Sequence, residues 1–374
     1  MARDINKEPY DETTLTKLEI FEQYLNAWLP VFIQSQFTPR AMICDFCAGS
    51  GQDSVGVHGS PLRVLNAIER FREQILAKDI KIEILLNDSD PEKAAELQAA
   101  VDEQFDANSW NGKVSVVCYS EDFKVLFDRL YAQLKQQPNL IFIDQYGVKQ
   151  VTADIFQRLI ALDKTDFLFF TSSSFVKRFA EQEEFKAHFP DLEPSVIKGA
   201  KHEDVHRVML EYYKKHVPRG NDIRLYPFTL KKTPNIHGLI FGSKHPRGVE
   251  KFLHLAWTQN SINGEANFDI DDDVKKAKPT LFDELPDNVR QKTKREVFES
   301  RLEAFICGNS EVTNRDVYLF TLAHGHPNSH ARECVKRLKA ESVVSCAGQI
   351  GISYDSCVKK GHPPLKTIKA IKHG

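Results

Sequence analysis

The stretch Met42-Ile43-Cys44-Asp45-Phe46-Cys47-Ala48-Gly49-Ser50-Gly51 decides the fold of this chain. Its apolar residues predict a short buried strand that ends at Asp45, and a Gly-x-Gly turn follows four residues later. Glycines at such a turn let the backbone approach a ligand, because a Cβ atom would block the approach. The layout therefore indicates a site for a ligand that carries a ribose and a charged group.

Apolar runs alternate with helical periodicity on either side of this strand. A helix is predicted over 13–33, where apolar residues recur at steps of three and four. The alternation predicts a doubly wound, Rossmann-like α/β sheet with helices on both faces, closed by a hairpin. The predicted strands are 41–46, 82–87, 114–118, 139–144, 166–171, 222–230 and 236–242, and the predicted helices between the first five are 61–77, 91–104, 121–136 and 151–162.

The last part of the chain has a different pattern. Three helical segments precede two short β-like runs, which is the order expected of a winged helix-turn-helix. The helices are predicted at 295–307, 314–323 and 329–341, and the β-like runs at 343–344 and 350–352. We therefore expect an N-terminal helical segment (1–40), an α/β domain (41–255), a polar linker (256–294) and a winged-helix-like domain (295–374).

Composition excludes several classes of protein. The 374 residues carry a net charge of −2, with 41% hydrophobic and 27% charged residues, as in ordinary soluble domains. No apolar run is long enough for a transmembrane helix, and the first residues lack the apolar core of a secretory signal. These features predict a cytoplasmic protein without a membrane partner.

Two cofactor classes use a Gly-x-Gly turn after a strand. The dinucleotide fingerprint needs a third Gly or Ala, but Ser54 stands there, and it needs an acid about 20 residues on. The next strand-end acid is Asp88, which is too distant. The alternative pattern, D-x-x-x-G-x-G from Asp45 to Gly51, is typical of class I methyltransferases and predicts S-adenosylmethionine (SAM) as the cofactor.

The SAM interpretation gives each acid a role. Gly49 and Gly51, with Asp45-Phe46, would contact the methionine part of SAM, and Asp45 would lie near its amino group. Asp88 ends the second strand and would accept hydrogen bonds from the ribose hydroxyls, while Asp122 would accept one from the adenine amine. Open α/β sheets bind ligands at this edge. Alternatively, Asp88 and Asp122 are helix N-caps.

The fourth predicted strand ends in Asp144-Gln145-Tyr146-Gly147. This resembles the D/N-P-P-Y/F motif of enzymes that methylate exocyclic amines, in which an acid or amide and a carbonyl position the amine. Asp144, Gln145 and Tyr146 are thus the candidate catalytic residues, acting mainly by positioning. Alternatively, Asp144 caps the next helix and Tyr146 packs in the core.

The C-terminal segment is basic. From Asn309 onward, ten Lys and Arg residues stand against five acids, a net charge of +5. The predicted third helix occupies the position of a recognition helix, which suggests contact with nucleic-acid phosphates. The candidate nucleic-acid-binding residues are Arg332, Lys336, Arg337 and Lys339. Alternatively, they form the solvated face of a protein-binding winged helix.

The same segment contains residues at a spacing that zinc ligands use. His330 and Cys334 are four residues apart on one predicted helix, a workable ligand spacing, and His324 and His326 lie nearby. However, no second pair of cysteines flanks them, and His326-Pro327-Asn328 is typical of a turn. We therefore predict no metal site.

Several motifs together resemble the three-Cys-motif partner protein (TcmP) family. In chain order they are Lys17-Leu18, Tyr24-Leu25-Asn26-Ala27-Trp28-Leu29, Asp45-Phe46-Cys47-Ala48-Gly49-Ser50-Gly51, Gly59-Ser60-Pro61, Asp144-Gln145-Tyr146-Gly147 and Leu239-Ile240-Phe241-Gly242-Ser243-Lys244-His245-Pro246. The resemblance implies a methyltransferase-like fold and a partner with three cysteines that itself resembles radical-SAM proteins. The chain departs from the family at Cys47 and Gln145.

Three hypotheses follow. The first is a SAM-dependent methyltransferase that acts on nucleic acid, with the winged helix for docking. The second is a catalytically inactive subunit that keeps the fold and serves a partner, which the departure at Gln145 motivates. The third is a nucleic-acid-binding adaptor whose function lies in the C-terminal segment.

Overall fold

The computed structural model describes residues 8–145, 147–232, 235–278 and 291–371, with only the backbone described at 232 and 235. The chain divides between Lys244 and His245 into two compact units. The predicted α/β domain extends to 255, beyond this division. No helix in the described ranges has the length and apolarity needed to cross a membrane.

A seven-stranded sheet forms the centre of the first unit. Its strands are β1 (Arg40–Asp45), β2 (Lys81–Asn87), β3 (Val114–Tyr119), β4 (Asn139–Ile143), β5 (Thr165–Thr171), β6 (Arg224–Lys232) and β7 (Asn235–Ser243). Their order is β3-β2-β1-β4-β5-β7-β6. The first five strands are parallel, whereas β7 is antiparallel to both β5 and β6. This confirms the predicted Rossmann-like sheet and its closing hairpin.

Ten helices accompany this sheet in the described part of the first unit. They are α1 (Glu12–Ile33), α2 (Ser60–Arg70), α3 (Arg72–Ala77), α4 (Pro91–Gln104), α5 (Phe123–Leu134), α6 (Ala153–Ala161), α7 (Ser173–Phe179), α8 (Glu183–His188), α9 (Pro194–Gly199) and α10 (Val205–Lys215). The single helix predicted over 61–77 is wrong, because the chain breaks at Phe71 into α2 and α3. Helices α8 to α10, between β5 and β6, were not predicted.

Helix α1 packs one face onto the sheet. The residues of this face recur at helical spacing, and the ring of Phe21 stacks on Phe142 of β4 with centroids 4.3 Å apart. Tyr24, one turn further, reaches Asp166 near the start of β5. Toward the opposite end of α1, the Lys17 ammonium contacts Asp144, the residue that follows β4. Helix α1 therefore spans the sheet from its amino edge to its carboxyl edge.

The second unit combines helices with a small sheet. Its elements are α11 (Pro246–Gln259), α12 (Asp273–Lys276), α13 (Lys294–Gly308), β8 (Val312–Thr313), α14 (Asn314–Ala323), α15 (Asn328–Ala340), β9 (Val344–Cys346), α16 (Tyr354–Cys357) and β10 (Thr367–Ala370). The three strands are antiparallel in the order β8-β10-β9. Part of the predicted linker is helical, since α11 and α12 lie within 246–276.

The predicted β-like run at 350–352 is not a strand. Gly351 interrupts it, and a Cβ atom at this position would come within 2.6 Å of the Ser356 hydroxyl. The strand that pairs with β9 is β10, which buries Ile368 against both neighbours. The alternating sequence pattern of β10 is too short to predict this strand.

Candidate functional site

The candidate site lies where parallel strands β1 and β4 end side by side. The sheet order reverses here, since β2 lies on one side of β1 and β4 on the other. Such a switch point opens a crevice at the carboxyl edge of an α/β sheet. Asp45 is the last residue of β1, and Asp144 follows the last residue of β4. The topology thus brings together two predicted site residues that are far apart in sequence.

Asp45 is fully buried. The Cys47 N–H donates to its Oδ1 at 3.3 Å, but within the described chain no donor meets hydrogen-bond geometry at Oδ2. Burial raises the pKa of this carboxyl to about 7; the Ser60 hydroxyl opposes the rise, and the charges of Asp144 and Asp88 add to it. A buried carboxylate oxygen without a donor is costly, and a cationic donor would offset that cost.

The Gly-x-Gly turn has the backbone that its sequence predicts. Gly49 and Gly51 adopt φ values of +63° and +92°, in the region that favours glycine. A Cβ atom at Gly51 would make only ordinary contacts, 3.5 Å from Leu97 and Ala100. The backbone conformation, rather than lack of space around Gly51, is therefore what requires glycine there.

Asp88 supports this turn directly. Its Oδ2 accepts a hydrogen bond from the Gly49 N–H at 2.9 Å, and its Oδ1 accepts one from the Asp90 N–H. The N-cap of α4 is Asp90, so the alternative in which Asp88 caps that helix is wrong. Each carboxylate oxygen of Asp88 retains acceptor capacity for a hydroxyl group.

Asp122 and Phe46 have roles in the packing of the domain. Asp122 is the N-cap of α5 and accepts hydrogen bonds from Lys124 N and Val125 N, which confirms the capping alternative. Capping leaves acceptor capacity on the carboxylate. The ring of Phe46 is buried against Phe123, with centroids 5.2 Å apart. Contacts of Asp122 and Phe46 with a ligand therefore remain predictions.

The loop between Gly51 and α2 is closed by Asp53, a residue that follows no predicted strand and matches no motif. Its carboxylate accepts from the backbone N–H groups of Tyr10, Val55 and Val57. Burial opposes ionisation, but these donors outweigh it and lower the pKa of Asp53. The Tyr10 hydroxyl also lies 2.9 Å from where a Cβ atom of Gly59 would stand. The segment ahead of α1 therefore covers this loop.

Asp144 is ion-paired with Lys17 of α1. The side chains are 15% and 6% exposed, respectively, so the pair is largely shielded from water. The Lys17 ammonium also lies 4.8 Å from the centroid of the Phe170 ring, near the end of β5. A cation at the site was not predicted, because no local pattern links residues 17 and 144.

Gln145 holds the loop that follows β4. Its side-chain amide donates to the Phe170 carbonyl at 2.8 Å, and its oxygen accepts from Gln150 N and Val151 N. The side chain is therefore used internally, and it shapes the loop where the amine-methylating motif has proline. The predicted catalytic residue Tyr146 lies outside the described residues.

In the second unit, the four candidate cations on α15 are not equivalent. Arg337 is ion-paired with Glu341, Glu299 and Glu303 at 3.1, 3.6 and 3.8 Å. Lys339 donates to the carbonyls of residues 346 and 348. By contrast, Arg332 and Lys336 are exposed and lack an ion pair or hydrogen bond to described residues.

Arg332 and Lys336 line one groove. They lie four residues apart on α15, and the groove between this helix and the segment 346–352 has a volume of about 400 Å³. Residues at this spacing share one helix face. The groove therefore presents two available cations beside apolar side chains such as Val335 and Ile352.

The histidines of the second unit form a packed pair. Nδ1 of His326 and Nδ1 of His330 are 3.0 Å apart, and Phe298 stacks on His326. Burial lowers the pKa of His326 to about 2 and that of His330 to about 4, so both rings are neutral at pH 7. In the described ranges, no three His, Cys, Asp or Glu side chains are grouped to hold a metal ion.

Comparisons with known proteins give fold-level likenesses only. No protein-family model matches the chain, and no curated protein matches it in sequence. Trm1 from Pyrococcus horikoshii, in complex with S-adenosyl-L-methionine, has 13% identity and a TM-score of 0.40 over 65% of this chain and 58% of that one. The match therefore spans less than two thirds of Trm1.

Two other solved structures are similar at the same level. A putative O-methyltransferase from Klebsiella pneumoniae has 11% identity and a TM-score of 0.31, covering 63% of this chain and 90% of that one. The METTL16 methyltransferase domain has 12% identity and a TM-score of 0.32, covering 63% and 70%. Scores this low assign neither a family nor a substrate, so the proposed function depends on the site itself.

Proposed function

We propose that this protein binds SAM at the carboxyl edge of its sheet and is a methyltransferase-type protein that acts on nucleic acid. The observation that carries the proposal is the buried Oδ2 of Asp45, which no donor of the described chain meets in full hydrogen-bond geometry, although the Ser60 hydroxyl is close enough to lower the pKa of this carboxyl. It lies directly before a glycine turn at the switch point of the sheet. SAM carries an ammonium group that would supply the missing donor, and a methyl group for transfer.

The residues present fit such a ligand. Asp45 would hold the amino group, and the turn at Gly49 and Gly51 would lie along the methionine part. Asp88, already fixed by the Gly49 N–H, would accept from the ribose hydroxyls, and Asp122 would accept from the adenine amine. The adjacent Asp144 lies where the acceptor of the methyl group would be held.

Calorimetric titration with SAM and with S-adenosylhomocysteine tests this proposal. We expect the intact protein to bind both ligands and Asp45→Ala to bind them at least tenfold more weakly, as for a lost charged hydrogen bond. Asp166→Asn is the matched control, because it changes a buried carboxylate at the other edge of the same sheet. Absence of binding by the intact protein, or equal binding by Asp45→Ala, would contradict the proposal.

The second unit supports the nucleic-acid part of the proposal. Helices α13, α14 and α15 followed by β9 and β10, with β8 at the edge of the small sheet, have the order expected of a winged helix. Helix α15 is at the recognition position and carries the two available cations, Arg332 and Lys336. We propose that these two side chains, rather than Arg337 and Lys339, contact phosphates.

Titration of labelled RNA and DNA at several salt concentrations tests this docking surface. Arg332→Gln and Lys336→Gln should each weaken binding and reduce the salt slope by about one unit. Arg337→Gln is the control, because its guanidinium is already paired with glutamates, and it should leave the slope unchanged. Equal effects of all three variants would contradict the assignment.

The resemblance to the TcmP family adds a partner to the proposal. It implies a three-Cys-motif protein that resembles radical-SAM proteins. Co-expression with that protein, followed by size-exclusion chromatography, tests the association. Elution of the two as separate species at micromolar concentration would contradict a stable complex.

A non-catalytic subunit is the second candidate function. The use of the Gln145 side chain to hold its loop favours it, because the rigid proline turn of the amine-methylating motif is replaced. Both candidates predict SAM binding, so methyl transfer must distinguish them. Transfer to RNA or DNA that Asp144→Ala abolishes would exclude the non-catalytic candidate. An adaptor whose function lies in the second unit would instead keep its function without SAM.

A further inference from the structure

The ion pair of Lys17 and Asp144 gives the candidate site a feature that the sequence pattern does not contain. Lys17 comes from α1, outside the order of strands and turns that forms the crevice. Its side chain is only 6% exposed, and a buried ammonium needs a partner to offset its lost hydration. Asp144 supplies that partner, so the ammonium is held at the carboxyl edge of the sheet.

Three observations place the ammonium within the crevice. It pairs with Asp144 after β4, and it lies 4.8 Å from the centre of the Phe170 ring near the end of β5. Burial raises the pKa of the Cys47 thiol, just beyond β1, and the Lys17 charge is near enough to oppose that rise. An ammonium has three N–H donors. One is used by the Asp144 carboxylate, and a second faces the Phe170 ring. One donor therefore remains for another oxygen acceptor.

A cation at this position selects between methyl acceptors. When an amine nitrogen takes up a methyl group, positive charge develops on that nitrogen, and a neighbouring ammonium opposes it. When a hydroxyl oxygen takes up a methyl group, its proton leaves and the oxygen becomes more negative. An ammonium stabilises that charge, and a neighbouring carboxylate accepts the proton. An amine acceptor would be favoured by the carboxylate but opposed by the ammonium, whereas a hydroxyl acceptor uses both groups. The pair therefore favours a hydroxyl over an exocyclic amine.

We propose that Lys17 and Asp144 hold the acceptor of this site as a pair, and that the acceptor is the ribose 2′-hydroxyl of RNA. The proposal rests on the proposed function, because SAM must supply the methyl group. Of the two nucleic acids, only RNA has a hydroxyl at each residue within the chain. Lys17 donates to the oxygen and Asp144 takes its proton. The oxygen lone pair forms the new C–O bond, while the electrons of the broken C–S bond stay on sulfur.

A binding measurement tests the position of Lys17 without any methyl acceptor. Sinefungin carries a protonated amine in place of the transferred methyl group, whereas S-adenosylhomocysteine has neither. In the wild-type protein the Lys17 ammonium opposes the sinefungin amine. Lys17→Met should remove this opposition and leave Asp144 free to pair with it. The affinity for sinefungin relative to S-adenosylhomocysteine should then rise by about tenfold or more.

Two further variants keep this measurement interpretable. Lys17→Met leaves the Asp144 carboxylate without its ion-pair partner. The double variant Lys17→Met with Asp144→Asn removes both charges. Its affinity for sinefungin relative to S-adenosylhomocysteine should return to within a few fold of wild type. Lys17→Arg keeps the positive charge, so its affinity for sinefungin relative to S-adenosylhomocysteine should stay low. An unchanged ratio in Lys17→Met overturns the inference about Lys17. Failure of wild-type protein to bind any of the three ligands would instead overturn the proposed function.

The identity of the methylated product tests the acceptor. Unmodified transcripts of transfer and ribosomal RNA, and DNA of the same sequences, are incubated with SAM labelled in its methyl group and then digested to nucleosides. Label in 2′-O-methylnucleosides of RNA, absent from DNA and lost in Lys17→Met, supports the inference. Label in N-methylated bases, or no O-methylated product while SAM binds, overturns it.

Discussion

Asp45 and Asp166 are both buried carboxylates on the same sheet, but their surroundings differ. Asp166 lies near the amino edge, where the Tyr24 hydroxyl donates to its Oδ2 at 2.6 Å and the Ser243 hydroxyl also lowers its pKa. Asp45 lies at the carboxyl edge, with one oxygen bonded to the Cys47 N–H and the other without a donor in the described chain. Burial raises the pKa of both, to about 7 for Asp45 and about 6 for Asp166.

The difference is the one expected between a structural carboxylate, Asp166, and the carboxylate that the proposed function assigns to ligand binding, Asp45. Two hydroxyl donors of the protein partly offset the burial of Asp166, so its carboxylate is already satisfied when the domain folds. Asp45 is buried at similar depth. The Ser60 hydroxyl and the Cys47 N–H also lower its pKa, but within the described chain its Oδ2 has no donor in full hydrogen-bond geometry, which lowers stability. Under the proposed function, the ammonium group of SAM would offset this cost.

Stability as a function of pH gives the largest expected contrast. An unfolded aspartate titrates near pH ~3.9. Between that value and the raised pKa of the folded state, the folded protein holds a proton that the unfolded chain has released. The free energy of unfolding therefore falls as pH rises, by up to about 4 kcal/mol for Asp45. Because Asp166 contributes the same kind of decline only up to about pH 6, the two groups can be separated.

Urea denaturation between pH 4.5 and pH 8 measures this contrast. The decline should continue to about pH 7 in the wild type and in Asp166→Asn, but it should end near pH 6 in Asp45→Asn. If Asp45→Asn keeps the decline between pH 6 and pH 7, the carboxylate at the carboxyl edge is not the source. The comparison of the two edges would then lose its electrostatic basis.

The affinity for SAM should depend on pH through Asp45 alone. Only the ionised carboxylate pairs with the ligand's ammonium, so affinity should rise as pH rises toward the pKa of about 7. The expected gain between pH 5 and pH 7 is roughly 50-fold, from the change in the ionised fraction. Calorimetry should find this gain in Asp166→Asn and not in Asp45→Asn. A pH-independent affinity in the wild type would contradict the assignment.

Much of the fold could be predicted from the sequence, because strand and helix patterns are local. The predicted strand 41–46 corresponds to β1 (Arg40–Asp45), and the helix predicted over 91–104 has the observed bounds of α4. The contacts at the two edges of the sheet were harder to predict. The pairs Lys17–Asp144 and Tyr24–Asp166 join residues more than a hundred positions apart, and only the packing of α1 on the sheet brings them together.

The candidate site, too, could be predicted only in part from the sequence. Its strand-end acids could be found, because each follows an apolar run. Whether an acid caps a helix, supports a turn or keeps one oxygen without a donor depends on neighbours from other elements. Asp122, Asp88 and Asp45 illustrate these three outcomes. Likewise, the availability of Arg332 and Lys336 depends on which glutamates of α13 pair with Arg337.

Removal of a donor from Asp166 tests the structural side of the comparison. Tyr24→Phe leaves the buried carboxylate with one fewer hydrogen bond, which should cost about 1–2 kcal/mol of stability at pH 7. The pKa of Asp166 should rise further, because a donor that favours its ionised form is lost. SAM affinity should stay within twofold of the wild type. A large loss of SAM binding would show that the amino edge also serves the ligand.

Alanine substitutions at and near the glycine turn have the smallest expected effect. They distinguish the cost of backbone strain from the loss of SAM affinity. Gly51 and Gly56 both adopt positive φ, +92° and +84°, and neither site is too crowded for a Cβ atom. Alanine at either position should therefore cost a similar amount, about 1 kcal/mol of backbone strain. Gly51→Ala should also weaken SAM binding several-fold, because relief of the strain moves the turn that follows Asp45, while Gly56→Ala should not. Denaturation and calorimetry on both variants measure the two effects. Equal SAM affinities in the two variants would mean that the backbone at Gly51 does not contact the ligand.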